Sequence, residues 1–176
     1  LFGSSGFIGI VAYLHIVQGD YDPVHQLMSE LALGEQGNLM LAAFTLLALA
    51  ASGAIGILAT FNNNKLIFVL LSAASASLLG AGVFTLVSAT TLHITLVGLA
   101  FVLLGLVMYL VPRYISAFQN VEGKLVSWDL GLSMAVAVSL GHNFIPIGVG
   151  QRLAAACLLM WLCWLTIFAL RHQSDG

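Results

Sequence analysis

The strongest constraint on this chain is a series of apolar runs of membrane length. A helix needs about 20 apolar residues to cross the hydrocarbon layer of a bilayer. Six runs meet or approach that length, at about 1–17, 39–60, 66–86, 92–111, 125–144 and 153–170. The residues between them are too few for a second domain, so residues 1–176 read as one all-α domain, a polytopic membrane bundle of six transmembrane helices. Composition agrees. Charged residues are 7% of the 176 and hydrophobic ones 60%, whereas a soluble domain carries about 25% charged residues. Five Lys and Arg with seven Asp and Glu cannot cover a water-facing surface. The net charge of −2 offers no basic patch, which excludes a nucleic-acid partner.

The breaks between runs are the stretch Gly19–Asn38, FNNNK at 61–65, TLVSATT at 85–91, PRYISAFQNVEGK at 112–124 and IPIGVGQR at 145–152. If six spans alternate, Lys65, Arg113, Lys124 and Arg171 share one side and Arg152 stands alone on the other. The excess of Lys and Arg marks the cytoplasmic side, so both termini are expected there. Tyr109, Tyr114, Trp128 and Trp164 fall near the same interface, as an aromatic belt does. Leu1–Val17 lacks a basic start and a small-residue cleavage site, so it is expected to be a packed helix rather than a cleaved signal.

Small residues recur every four positions at Ala48, Ser52 and Gly56, at Ala73, Ser77 and Ala81, and at Gly131, Ala135 and Ser139. Such stripes let membrane helices approach closely. FGSSGFIG at 2–9 imitates a dinucleotide fingerprint, but no strand precedes it and no acidic residue follows in a βαβ unit. Cys157 and Cys163 lie on different faces of one helix, roughly 9 Å apart along its axis, and cannot pair.

The one long polar stretch is GDYDPVHQLMSELALGEQGN, Gly19–Asn38. Asp22 followed by Pro23 is a good helix start and Gly34 a good stop. With Val24, Leu27, Met28 and Leu31 on one face and His25, Gln26, Ser29 and Glu30 on the other, the pattern predicts a short amphipathic helix over about 23–33 on the outer face. His25 and Ser29 would be i,i+4 neighbours on it, and Asn38 would cap the next helix.

Four of the five histidines converge on that outer side: His15, His25, His93 and His142. Asn143, Gln151 and Arg152 join them, with Ser29, Glu30, Asp20 and Asp22 in reach. Polar groups just inside a membrane are costly unless paired. Three uses compete. His25, His93 and His142 with a carboxylate suit a zinc site with one open position. His, Glu and Arg suit a pocket for a lipid headgroup or similar anion, clamped by Arg152. A structural network tying loops to helix ends, with a Glu30–Arg152 ion pair, is the third. Haem would need opposed axial ligands, and His93 with His142 could hold one at most. No His-Glu-x-x-His motif is present. Asp129, the other ionisable group inside a span, is expected to pair with Lys124 or Arg113.

SELALG at 29–34, GVF at 82–84 followed by Leu92-His93, and GVGQR at 148–152 leading to Trp161 resemble an uncharacterised family of prokaryotic six-helix membrane proteins, a domain of unknown function. The resemblance covers nearly the whole chain and implies a cytoplasmic-membrane protein. In that family a Pro after the Phe and an acid before the His are expected; here Thr85 follows Phe84 and no acid precedes His93. Two functions follow. One is a binding or accessory subunit with an outer lipid-binding pocket, surrounded by membrane lipids and packed against other membrane protein subunits or a second copy. The alternative is a membrane-embedded, metal-dependent lipid hydrolase.

Overall fold

A computed structural model describes residues 1–174, apart from the side chains of His142, Gln173 and Ser174. Six α-helices follow in order: α1 Phe2–Val17, α2 Leu39–Ala59, α3 Lys65–Val83, α4 Leu86–Tyr114, α5 Val121–Asn143 and α6 Ile147–Ser174. Short 3₁₀ helices cover Met28–Leu33 and Ser116–Phe118, and the described residues contain no strand. Helices α2 to α6 are long and apolar enough to cross a membrane. Helix α1 has 16 residues, about 24 Å at 1.5 Å per residue.

Each helix packs on the next in sequence, and α6 closes the bundle against α2 and α1. The Met28–Leu33 turn touches α1, α2, α4 and α6 together, so it closes one end of the bundle. Trp161 is fully buried, and its indole N–H donates to Ser127 Oγ at 3.1 Å, tying α6 to α5. Cys157 and Cys163 are both free.

Helix starts obey local chemistry. Asn64, Thr85 and Asn120 each accept a backbone N–H of the first turn, from Ile67, Ser88 and Gly123 respectively. Asn38 is itself helical and makes no such bond, so the expected cap of α2 is not formed. Two expected breaks are largely helical. TLVSATT becomes the first turns of α4, with non-helical backbone at Ala89 (φ −159°, ψ 67°) instead of an open loop. GVGQR lies inside α6, because the Pro146 carbonyl already accepts from Val149 and Gly150 and starts the helix there. In the 112–124 break, α4 runs to Tyr114 and α5 starts at Val121.

The small-residue stripes are split. Ala48, Ser77 and Ala81 are buried, but Ser52, Gly56, Ala73, Ala135 and Ser139 are exposed. The tightest helix contacts fall on other glycines. A Cβ on Gly3 would lie 2.4 Å from the Leu46 carbonyl oxygen of α2. A Cβ on Gly150 would lie 2.5 Å from Gly141 Cα and 2.8 Å from the Ala137 carbonyl oxygen of α5. Both neighbours are backbone and cannot step aside. Gly150→Val is therefore expected to force α5 and α6 apart and to cost at least about 1–3 kcal/mol. Thermal unfolding in detergent checks this. Gly53→Ala, where a Cβ meets nothing within 4 Å, should leave the midpoint unchanged or slightly raised.

Candidate functional site

The polar stretch folds as two short pieces and not as one helix. Asp22 Oδ1 accepts from the Val24 N–H at 2.8 Å, and its Oδ2 meets His25 Nδ1 at 2.7 Å. The His25 ring, then the Val24 N–H, holds the Asp22 carboxyl below its ordinary value. Leu27 is extended (φ −66°, ψ 147°) and ends this turn. Glu30 Oε1 then accepts from the Leu27 N–H at 2.8 Å and starts the 3₁₀ helix. The predicted amphipathic helix over 23–33 is thus interrupted at Leu27. His25 and Ser29 do not share a face: the His25 side chain is 71% exposed, while Ser29 is 2% exposed.

The start of α6 holds these pieces down. Gly148 sits under three carbonyls; a Cβ there would come 2.4 Å from Gln26 O, 2.5 Å from Pro23 O and 2.7 Å from Val24 O. Gln151 Oε1 accepts the Met28 N–H at 2.6 Å. The Arg152 guanidinium donates to Gly148 O at 2.9 Å, Gln26 O at 3.2 Å, His15 Nε2 at 3.0 Å and the Tyr21 hydroxyl. The Tyr21 hydroxyl donates in turn to Leu27 O at 2.8 Å. Burial pushes the Tyr21 phenol above its ordinary pKa, against the pull of Arg152. His15 Nδ1 faces the Val11 carbonyl at 2.6 Å, so it carries the proton and Nε2 accepts from Arg152.

This network changes the expected role of Arg152. Both terminal nitrogens use both of their N–H groups inside the protein. The Glu30–Arg152 ion pair does not form; Glu30 instead binds the Leu27 N–H and the Gln26 side-chain amide. Asp20 and Glu30 line a separate hollow of about 320 Å³ beside Tyr21 and Glu35. At the opposite end of the bundle, Asp129 pairs with neither Lys124 nor Arg113. Arg113 lies over the Tyr109 ring instead, 3.9 Å from its centre.

His93 is buried, at 3% exposure, and lines a cavity with an unpaired atom. The break at Ala89 precedes it by one helical turn. Its Nδ1 meets Ala81 O at 2.8 Å and Phe84 O at 2.9 Å. These carbonyls lie at the end of α3, where no helical N–H follows to satisfy them. Both partners are acceptors only, so Nδ1 carries the proton. In the uncharged ring Nε2 on the far edge is then a bare lone pair, and nothing among the described residues bonds it. Phe44 packs edge-on against the ring at 5.7 Å. Ser29 Oγ is buried and unbonded as well.

Ser29 and His93 line the same two cavities. One, about 260 Å³, lies against Phe44, Ala81 and Thr85. The other, about 350 Å³, lies among α4, α5 and α6, with Gln151 and Leu27 on its wall. Gln151 uses only its amide oxygen; among the described residues its Nε2 has no hydrogen-bond partner. The second cavity shares Gly98, Phe101 and Val138 with a groove of about 670 Å³ that runs between α4 and α5 to Tyr109 and Trp128. From His93 to Tyr109 along α4 is about 24 Å.

Of the sequence-predicted set, then, Ser29, His93 and Gln151 meet at one cavity, and Glu30 and Arg152 support the turn that carries Ser29. His25 stands apart on the turn, and Asn143 is exposed at the end of α5. His142 is within α5, but its side chain lies outside the described residues, and with it the expected His93–His142 arrangement for zinc or haem. Among the described residues no three His, Cys, Asp or Glu side chains are grouped to hold a metal ion. Tyr21, Gln18 and the Gly98 groove were not anticipated. Gln18 donates to Leu31 O and Glu35 O, a role signalled only by its being the first polar residue after an apolar run.

The chain belongs to the family described as "Protein of unknown function (DUF998)", which it matches over residues 2–167. No curated protein and no solved structure matches it.

If Gln151 and Arg152 are what holds the end-closing turn, Gln151→Ala leaves the Met28 N–H without a partner. The expected cost is about 1–3 kcal/mol. Hydrogen exchange should quicken across 26–31 while α2 and α3 keep their protection.

Proposed function

We propose that this membrane protein binds an amphiphile, with the polar head at Ser29, His93 and Gln151 and the chain in the groove between α4 and α5. The observation that carries this is the pair of buried, unbonded polar atoms, Ser29 Oγ and His93 Nε2, on the wall of a cavity that is apolar apart from them and Gln151 and that opens into a mainly apolar groove, with Asp129 among the residues lining it. A buried polar group without a partner costs about 1–3 kcal/mol. Two on one wall are best accounted for by a ligand that supplies the missing bonds.

In this reading the chain crosses the membrane six times. Helix α1 is short of the roughly 30 Å hydrocarbon layer, but its burial of Gly3, Phe7 and Leu14 along nearly its full length supports its being one of the spans. Lys65, Arg113, Lys124 and Arg171 at one end of the bundle favour that end as cytoplasmic, with both termini there and the Ser29–His93 pocket facing outward. The exposed small residues Ser52, Gly56 and Ala73 are surface on which a further membrane subunit could pack, consistent with an accessory role.

The test uses Gly98, which lines both the polar pocket and the groove and whose added Cβ would meet nothing within 4 Å. Gly98→Leu should fill the passage without straining the bundle. Native mass spectrometry of wild-type protein incubated with a membrane lipid extract should show a retained lipid. The variant should retain at least about tenfold less, with an unchanged or higher unfolding midpoint. A wild type that retains no amphiphile, or a variant that retains it equally, overturns the proposal.

A further inference from the structure

We infer that the head of the bound amphiphile is an uncharged hydroxyl. The inference rests on the amphiphile-binding reading and sharpens it to a ligand class. It follows from an inventory of what the pocket leaves unsatisfied.

His93 Nδ1 is committed to Ala81 O and Phe84 O, so Nε2 is an acceptor that needs a donor. Gln151 Oε1 is committed to Met28 N–H, so its Nε2 offers two N–H groups that need an acceptor. Ser29 Oγ can do either and does neither within the protein. The pocket therefore asks for one group that both donates and accepts a hydrogen bond. A hydroxyl does this, with its O–H toward His93 Nε2 and its oxygen accepting from Gln151 or Ser29.

Other heads fit worse. No charged side chain is among the described residues lining this cavity. The Arg152 guanidinium has its terminal N–H groups occupied by Gly148, Gln26, His15 and Tyr21. A phosphate or carboxylate would lose its hydration here and find no cation. A head that only accepts, such as a quinone, ketone or ether, would set its lone pairs against that of His93 Nε2. It would leave that nitrogen as unsatisfied as before. A cation would find only the neutral acceptors His93 Nε2 and Ser29 Oγ and no carboxylate among the described residues lining the cavity.

Hydroxyl-headed neutral lipids arise from glycerolipids and from isoprenoid alcohols, and the chemistry at Ser29, His93 and Gln151 is common to both. The experiment titrates the purified full-length chain in detergent with 1,2-dioleoylglycerol and with geranylgeraniol. Each is paired with its methyl ether, which keeps shape and chain but loses the donor, and with its phosphate monoester. Either alcohol should bind about tenfold more tightly than its ether, the size of one hydrogen bond, and more tightly still than its phosphate. Which alcohol binds better identifies the source. Ser29→Ala, which removes a hydroxyl bonded to nothing in the protein, should weaken the alcohol by a few-fold with no change in unfolding. His93→Phe should bring the alcohol-to-ether ratio close to one; Phe also leaves the α3 carbonyls uncapped, so its unfolding midpoint is read alongside. Ethers or phosphates that bind as well as the alcohols overturn the hydroxyl assignment and leave an amphiphile pocket of another class. Failure of every lipid to bind overturns the amphiphile reading itself.

Discussion

Everything at the polar end of this bundle depends on how the first two turns of α6 grip the chain between α1 and α2. Gly148 removes the side chain that would hold the turn away, Gln151 takes the Met28 N–H, and Arg152 gathers Gln26, Tyr21 and His15. The partners lie more than a hundred residues apart in sequence. In lipid, helices gain little from hydrophobic contact with one another, so a non-helical segment at a bundle end needs polar fastening to stay folded in place. Here the fastening is nearly complete: carbonyls at 26 and 27 and the amide at 28 all have partners. Ser29 follows directly and is carried, unbonded, into the interior.

The second anchor comes from α4. Its break at Ala89 and the His93 ring one turn later settle the end of α3 by capping two of its carbonyls. In the family resembled by the sequence an acid is expected near this histidine. In this chain the backbone of α3 does part of what an acid would do, since it orients the ring and fixes which nitrogen bears the proton. It supplies no negative charge, which keeps the pocket neutral.

Helix number, order and approximate limits were legible in the sequence because long apolar runs separated by short polar breaks mark the helices directly. The finer structure of the polar stretch was not. Its 3.6-residue pattern is real from Pro23 to Leu33, yet Glu30 can cap Leu27 and Gln151 can take the Met28 N–H, and these bonds favour a break over a continuous helix. That His93, Gln151 and Arg152 gather at one end of the bundle was readable from the alternation of apolar runs. Which of them still has bonding capacity was not, because that depends on backbone carbonyls with no sequence signature. Arg152, the apparent anion clamp, is saturated; Ser29, an unremarkable residue between Met28 and Glu30, is not. The repeat Gly131, Ala135 and Ser139 on α5 lines the groove opposite Gly98, and small residues at this spacing look the same in sequence whether they meet a helix or a hollow.

His15 and His93 show where the function of such a bundle is to be sought. Both lie in or near helix ends, and both have Nδ1 facing a backbone carbonyl. At His15 the other nitrogen is met by Arg152, so the ring completes a structural network. At His93 the other nitrogen is met by nothing among the described residues, although the ring is as well ordered by its packing on Phe44 and its two carbonyls. A folded chain gains nothing from orienting a buried lone pair and leaving it empty, since the cost of desolvating it has already been incurred. The same orientation becomes favourable once a donor enters from outside the chain. In the proposed reading, the difference between the two histidines is therefore the difference between an interaction that serves folding and one held open for a ligand.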